Sequence, residues 1–301
     1  MWLATSVGIP IPRLTTIPSR SSFAARLVIS SRVSAMPGRI PRARRGTVRL
    51  MNTARVTFES ESGHALAGAL DMPEGAPRAY ALFAHCFTCG KGLTAIRRLS
   101  EQLTAEGIAL LRFDFTGLGE SEGEFADTTF YSNLLDLRAA AAYLAREHEP
   151  PAALIGHSLG GAAVLAVASS IESVRCVATI GAPADPAHVS HLLKGAEFDE
   201  RGRAEVRIAG RSFTIGREFI EDLDRQDLPA RVSSLGVPLL IFHSPVDAVV
   251  GIENAERLFK AAKHPRSFVS LGRADHLLSD ARDAAMVGHM LSAWASRYID
   301  A

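Results

Sequence analysis

An α/β architecture, a mostly parallel sheet with helices on both faces, is what the sequence predicts for residues 51–301, and three observations carry it. Apolar runs of strand length recur at Tyr80–Ala84, Ile108–Phe113, Ala152–Gly156, Val174–Ile180 and Val237–His243, as strands buried inside a sheet require. Helix-length stretches separate them, and strands alternating with helices pack as parallel units. The rhythm breaks once, over residues 183–236, which carry more charge and more glycine and read as a small cap inserted over the carboxyl edge of the sheet.

The elements follow in order. Residues 53–59 and 64–71 read as a hairpin turning at Ser62-Gly63. After Tyr80–Ala84, Thr94 is placed to cap a helix over 95–106 that Gly107 ends. Ile108–Phe113 leads into the glycine-rich loop DFTGLGESEG, and Asp127 or Thr128 caps a long helix to about 148, stopped by Pro150-Pro151. Ala152–Gly156 is a strand, and Leu159–Ser170 an alanine-rich helix. Within the insertion, Val206–Ile208 and Ser212–Ile215 form a small hairpin. The later strands are Val237–His243 and Ser267–Leu271, with a helix near 252–263 between them and a final helix over 280–298.

Composition narrows the function classes. The 301 residues are 47% hydrophobic and 22% charged with a net charge of +1, so no global field points to nucleic acid. Residues 1–50 differ: they hold nine arginines, no lysine and no acid. Removing those nine leaves 24 of the 33 basic residues against 32 acidic ones, a net of about −8 for the body. Three readings of this leader stand: a disordered stretch ahead of a later start such as Met36 or Met51, an organelle transit peptide, or a basic arm. No run of about 18 apolar residues occurs, so no membrane span is expected. Three cysteines suit a reducing compartment and a cytoplasmic location, or an organelle if the leader is a transit peptide. The oligomeric state is not legible.

The chemistry begins at Gly156-His157-Ser158-Leu159-Gly160, a G-x-S-x-G between an expected strand and an expected helix. A serine on such a turn is presented as a nucleophile. Its hydroxyl needs a base to take the proton, and the base needs an acid to orient it. Downstream, Asp247 follows one late strand and His276 the next, both just past the carboxyl ends where sites of open α/β sheets gather. Asp275 adjoins His276, but neighbours in sequence usually point apart, so Asp247 is preferred. His243 and His157 are read as packed or hydrogen-bonded, and His188, His191, His264 and His289 as solvated. Oxyanion donors are expected from the backbone N–H of Leu159 and of Phe87, the latter in the loop after Tyr80–Ala84.

With these motifs in hand, residues 53–299 resemble the α/β-hydrolase superfamily, in particular its serine aminopeptidase-like and esterase-like members. The resemblance rests on His85-Cys86-Phe87, Asp114–Ser121, Gly156–Gly160, Asp247 and His276. The stretches AHCFTCGKGLTAIRRLS, LRFDFTGLGESEG and TIGAPADPAHV look more narrowly like a subgroup often fused to an osmotically inducible protein C domain, a domain not expected in this chain. The resemblance implies hydrolysis of a small ester, amide or thioester through an acyl-enzyme on Ser158, with a small-molecule acyl substrate and no cofactor, metal or nucleic acid. One departure stands out: Cys86 occupies a position where the superfamily usually has glycine.

Cys86-Phe87-Thr88-Cys89 opens an alternative, a thiol redox or redox-sensing protein, since a helix N-terminus lowers a thiol pKa. Zinc held by His85, Cys86 and Cys89 is weaker, for want of a fourth ligand at finger spacing. A third reading is a hydrolase fold that binds without catalysis. The DFTGLGES loop lacks G-x-x-x-x-G-K-[ST] and frames a pocket rather than cradling phosphate.

Overall fold

Eight strands hydrogen-bond into one sheet in the order β1-β2-β4-β3-β5-β6-β9-β10. They are β1 (Asn52–Glu59), β2 (Ala65–Met72), β3 (Ala79–Ala84), β4 (Ile108–Phe113), β5 (Ala153–His157), β6 (Cys176–Ile180), β9 (Leu239–His243) and β10 (Arg266–Ser270). The computed structural model describes residues 51–86, 90–186, 197–208 and 211–300. The expectations placed on the leader, on Phe87 and on Cys89 lie outside the described residues.

β1 and β2 form the antiparallel hairpin at one edge, with Phe58 opposite Leu66, and β2 pairs antiparallel with β4. From β4 to β10 every pairing is parallel. β1 is largely exposed and carries Thr53, Arg55, Thr57 and Glu59, as suits an edge. β3, β4, β5, β6 and β9 are buried throughout, which explains their unbroken apolar sequences.

Alternate side chains of those strands feed two apolar layers. On one face Leu82, Leu111 and Leu154 pack with Phe130, Leu137 and Leu144 of α2 (Phe130–Glu147) and with α3 (Leu159–Val167). On the other, Phe83, Leu110 and Ile155 pack with Ile96 and Leu99 of α1 (Thr94–Ala105) and with Val287 and Leu291 of the C-terminal helix Ala281–Ile299.

Helix starts depart from the expected caps. Thr129, not Asp127 or Thr128, caps α2: its side chain accepts from Ser132 N–H and the Ser132 side chain answers to the backbone of Thr129, a reciprocal capping box. Asp127 is taken up in a short 3-10 turn, Phe125–Asp127, that precedes it. Thr94 is the first residue of α1 rather than its cap, which is Leu93.

Between β6 and β9 the hairpin is longer than expected, with β7 (Arg203–Ile208) antiparallel to β8 (Arg211–Gly216). Helices α4 (Arg217–Asp224) and α5 (Leu228–Ser233) follow. Phe219, Leu223, Leu228 and Val232 are buried in the same apolar layer as α2 and α3, so these helices belong to the main core. Helix α6 (Glu253–Ala261) links β9 to β10, and α7 (Ala281–Ile299) closes the fold.

Candidate active site

Ser158 sits between β5 and α3 in a conformation that L residues avoid, φ 55° and ψ −127°. Its N–H donates to Ile180 O at 2.8 Å, and its own carbonyl accepts from Gly161 N–H at 2.8 Å. Glycine at 160 is forced by the turn's closeness to β3, because a Cβ there would overlap the backbone of Ala84. Leu159 is the first residue of α3, so its N–H has no acceptor within the helix.

Asp247 follows β9. Its Oδ1 accepts from Val249 N–H at 2.9 Å and Val250 N–H at 3.0 Å, and its Oδ2 lies 2.8 Å from His276 Nδ1. Burial alone would raise the Asp247 pKa, but the hydrogen bonds from His276, Val250 and Val249 outweigh it and hold the carboxylate below its ordinary range. Asp275, the adjacent acid, instead accepts from Ser279 N–H at 2.8 Å.

His276 lies in the loop after β10. Two residues on, the buried Leu278 has φ 52°; it and Ser158 are the two non-glycine residues with positive φ among those described. The turn Ile180–Gly181 joins these parts. Ile180 O holds the Ser158 backbone, and a Cβ on Gly181 would lie 3.2 Å from Asp247 Oδ2 and 3.3 Å from His276 Nδ1. Among the described residues no hydrogen bond joins the Ser158 hydroxyl to His276; such bonds often tighten only when substrate arrives.

Two further histidines, read from sequence as packed or hydrogen-bonded, are both: buried, and bonded to backbone carbonyls beside this pair. His157 is buried and its Nε2 lies 2.7 Å from the His276 carbonyl oxygen. His243 is wholly buried, with Nε2 2.8 Å from Val250 O and 3.8 Å from Asp247 Oδ2.

Lys91, just ahead of α1, is fastened to β4 and the residue that follows it. Lys91 N–H donates to Asp114 Oδ1 at 2.7 Å, the Lys91 ammonium binds Asp114 Oδ2, and the Lys91 carbonyl accepts from the Arg112 guanidinium. Arg112 in turn makes a fork on Asp71, at 2.7 Å and 3.1 Å, and Ser100 and Thr53 hydroxyls each donate to the same carboxylate at 2.6 Å. Burial would raise the Asp114 pKa, and its bonds from Lys91 and Glu120 lower it below the usual value. This network escaped the sequence reading, although a lone charge in each of two apolar strands, Asp71 in GALDM and Arg112 in ALLRF, was its signal. The glycine-rich loop shares this network through the Glu120 N–H, which donates to Asp114 Oδ2 at 3.1 Å, and is also tied to α2, where Thr116 gives its N–H and hydroxyl to Asp136 at 2.9 Å and 3.0 Å.

Cys86 is buried and disulfide-bonded, and Cys176 is free, its thiol pushed up to about 12 by burial. A sulfur in a disulfide is not a thiolate, so in this state Cys86 is neither nucleophile nor zinc ligand. Among the described residues no cluster of His, Cys, Asp and Glu could hold a metal, and no helix is long and apolar enough to cross a membrane.

Comparison with known proteins agrees with this layout. The esterase domain of a Rhodothermus marinus protein is 56% identical and superposes with a TM-score of 0.72, covering 83% of this chain and all of that one. Est1E from Butyrivibrio proteoclasticus, solved with ferulic acid, shares the fold at 23% identity and a TM-score of 0.72, covering 82% of this chain and all of that one. YfhR of Salmonella typhi is 27% identical over 234 residues, 74% of each chain. The family described as alpha/beta hydrolase matches residues 81–298. With that match, and with a serine turn at the carboxyl edge of a sheet of this topology, the chain belongs to the alpha/beta hydrolase family.

Proposed function

We propose that the protein hydrolyses a small, uncharged or weakly apolar carboxylic ester through an acyl-enzyme on Ser158. The 2.8 Å contact of Asp247 Oδ2 with His276 Nδ1 carries this reading, since it leaves Nε2 as the basic nitrogen. The esterase domain at 56% identity supports an ester over an amide.

His276 Nε2 takes the Ser158 proton as Oγ attacks the ester carbonyl carbon. The carbonyl π pair moves to oxygen, where the N–H of Leu159 and of Phe87 bind the oxyanion. Collapse breaks the ester C–O bond, and the leaving alkoxide receives the proton from His276. Water then attacks the acyl-enzyme, giving a proton to His276 and on to Ser158, and the acid leaves. Asp247 holds the imidazole tautomer and stabilises the imidazolium. No metal or cofactor enters, and of the segment read as a cap the hairpin β7–β8, rather than the core helices α4 and α5, is left to shape the acyl pocket.

A fluorophosphonate probe and a series of p-nitrophenyl esters of increasing chain length test the reading. Wild type is expected to label and turn over, and Ser158→Ala to lose both. Turnover that survives Ser158→Ala but disappears in Cys86→Ser would replace it with thiol chemistry. A folded protein that neither labels nor turns over would leave a binding module.

A further inference from the structure

His157 is a buried titratable side chain that the mechanism above does not use. It precedes the nucleophile in sequence and reaches the loop of the base, 119 residues away. A carbonyl oxygen only accepts, so at the 2.7 Å contact with His276 O the hydrogen sits on His157 Nε2. Nδ1 is then bare. It is buried without a partner, on a ring that lines a small apolar void with Phe83, Leu93, Ile96, Leu99 and Leu278. A polar atom buried in this way is destabilising, and the tie to His276 is the gain that offsets it.

The ring also packs against the His276 ring, centroids 4.9 Å apart at 42°. During turnover His276 becomes an imidazolium, and a second cation at that distance would oppose it. The ionisable groups that bear on His157 are His276, Asp247 and His85; burial, and then the charge of His276, depress its pKa from 6.5 to about 3.

We infer that His157 is a positioning residue, an Nε2–H donor that ties the nucleophile turn to the backbone of His276 and so keeps the base seated on Asp247. This rests on the proposed roles of Ser158 and His276. Asp247 restrains the imidazole at Nδ1 and His157 restrains the carbonyl of the same residue, so His276 is held at both ring and backbone. The strained Leu278 and the bond from Leu278 N–H to Asp275 O, 3.1 Å, shape the loop but do not touch the His276 carbonyl.

The test compares His157→Phe, which keeps a ring and removes the donor, with His157→Gln, which keeps an N–H. For His157→Phe, kcat on a p-nitrophenyl ester is expected to fall about 10- to 100-fold with KM changed less than about threefold, the scale expected of a base misplaced by up to 1 Å. The acid limb of its kcat/KM profile moves to lower pH, because an imidazolium less well seated on Asp247 gives up its proton more readily. His157→Gln recovers part of both effects. Histidine ring nitrogen NMR supplies a readout that needs no turnover. Wild-type His157 is expected as the Nε2–H tautomer, not titrating between about pH 5 and 8.

A folded His157→Phe with kcat and acid limb unchanged overturns the inference, as does an Nδ1–H tautomer for His157 in wild type. Should His157→Phe fail to fold, His157→Gln and the wild-type tautomer decide. A wild type that hydrolyses no ester defeats the proposed function, while the NMR measurements still judge the tie.

Discussion

Gly181→Ala probes the Asp247–His276 pair without deleting any functional group. Gly181 has φ 56°, a region that costs an L side chain roughly 1–2 kcal/mol. Its new Cβ would stand 3.2 Å from Asp247 Oδ2, 3.3 Å from His276 Nδ1 and 3.4 Å from His276 Cε1. The first two are closer than carbon normally sits, so the pair must yield by a few tenths of an ångström. At about 2–4 °C per kcal/mol for a domain of this size, Tm should drop by about 2–8 °C. A shift of a few tenths of an ångström at the proposed base His276, set against about 100-fold for 1 Å, predicts a kcat loss of about 3- to 10-fold. Gly75→Ala is the control: its φ is 88° and no heavy atom lies within 4 Å of the added carbon, so it should lose stability and keep its rate. Ester turnover, normalised to the fraction that reacts with a fluorophosphonate, separates rate from folding. If Gly181→Ala loses stability but no more rate than Gly75→Ala, the pair beside Gly181 is not the working acid and base.

Three further outcomes follow from the same geometry. Asp247→Asn should lower kcat on the order of 10³- to 10⁴-fold with little change in KM, because an amide can favour the wrong imidazole tautomer; a loss below tenfold would move the orienting role elsewhere. Asp71→Ala leaves the Arg112 guanidinium buried without its carboxylate and should cost about 3–5 kcal/mol in urea unfolding, whereas Asp71→Leu with Arg112→Met should recover much of it. Stability should also fall in acid through His157. Its pKa of about 3 in the fold lies below the 6.5 of the unfolded chain, so between those values the unfolded state binds the extra proton. Lowering the pH from 7.5 to 5 should therefore cost about 2 kcal/mol that His157→Phe does not lose, and parallel pH profiles for the two proteins would contradict the assignment.

Strand and helix order could be read directly because the central strands are buried on both faces and so carry unbroken apolar runs such as YALFA and IALLRF. Helix starts were read one or two residues off. Asp127, Thr128 and Thr129 are all acceptable cap residues, and only the reciprocal bonds with Ser132 single out the last. The small hairpin was read too short, because Arg203, Ala204 and Glu205 give no strand periodicity of their own and pair only because β8 lies opposite.

What the sequence determined by itself is what depends on neighbours along the chain: alternating elements, a serine on a strand–turn–helix, and an acid and a histidine at the ends of two late strands. Tertiary structure alone decided which distant side chains face one another. Sheet order β2-β4-β3-β5-β6-β9-β10 carries His157 to the His276 carbonyl across 119 residues and Arg112 to Asp71 across 41. Such pairings follow from strand register and side-chain direction, which are set by the packing of the whole sheet and leave only an isolated polar residue in an apolar run as their local trace.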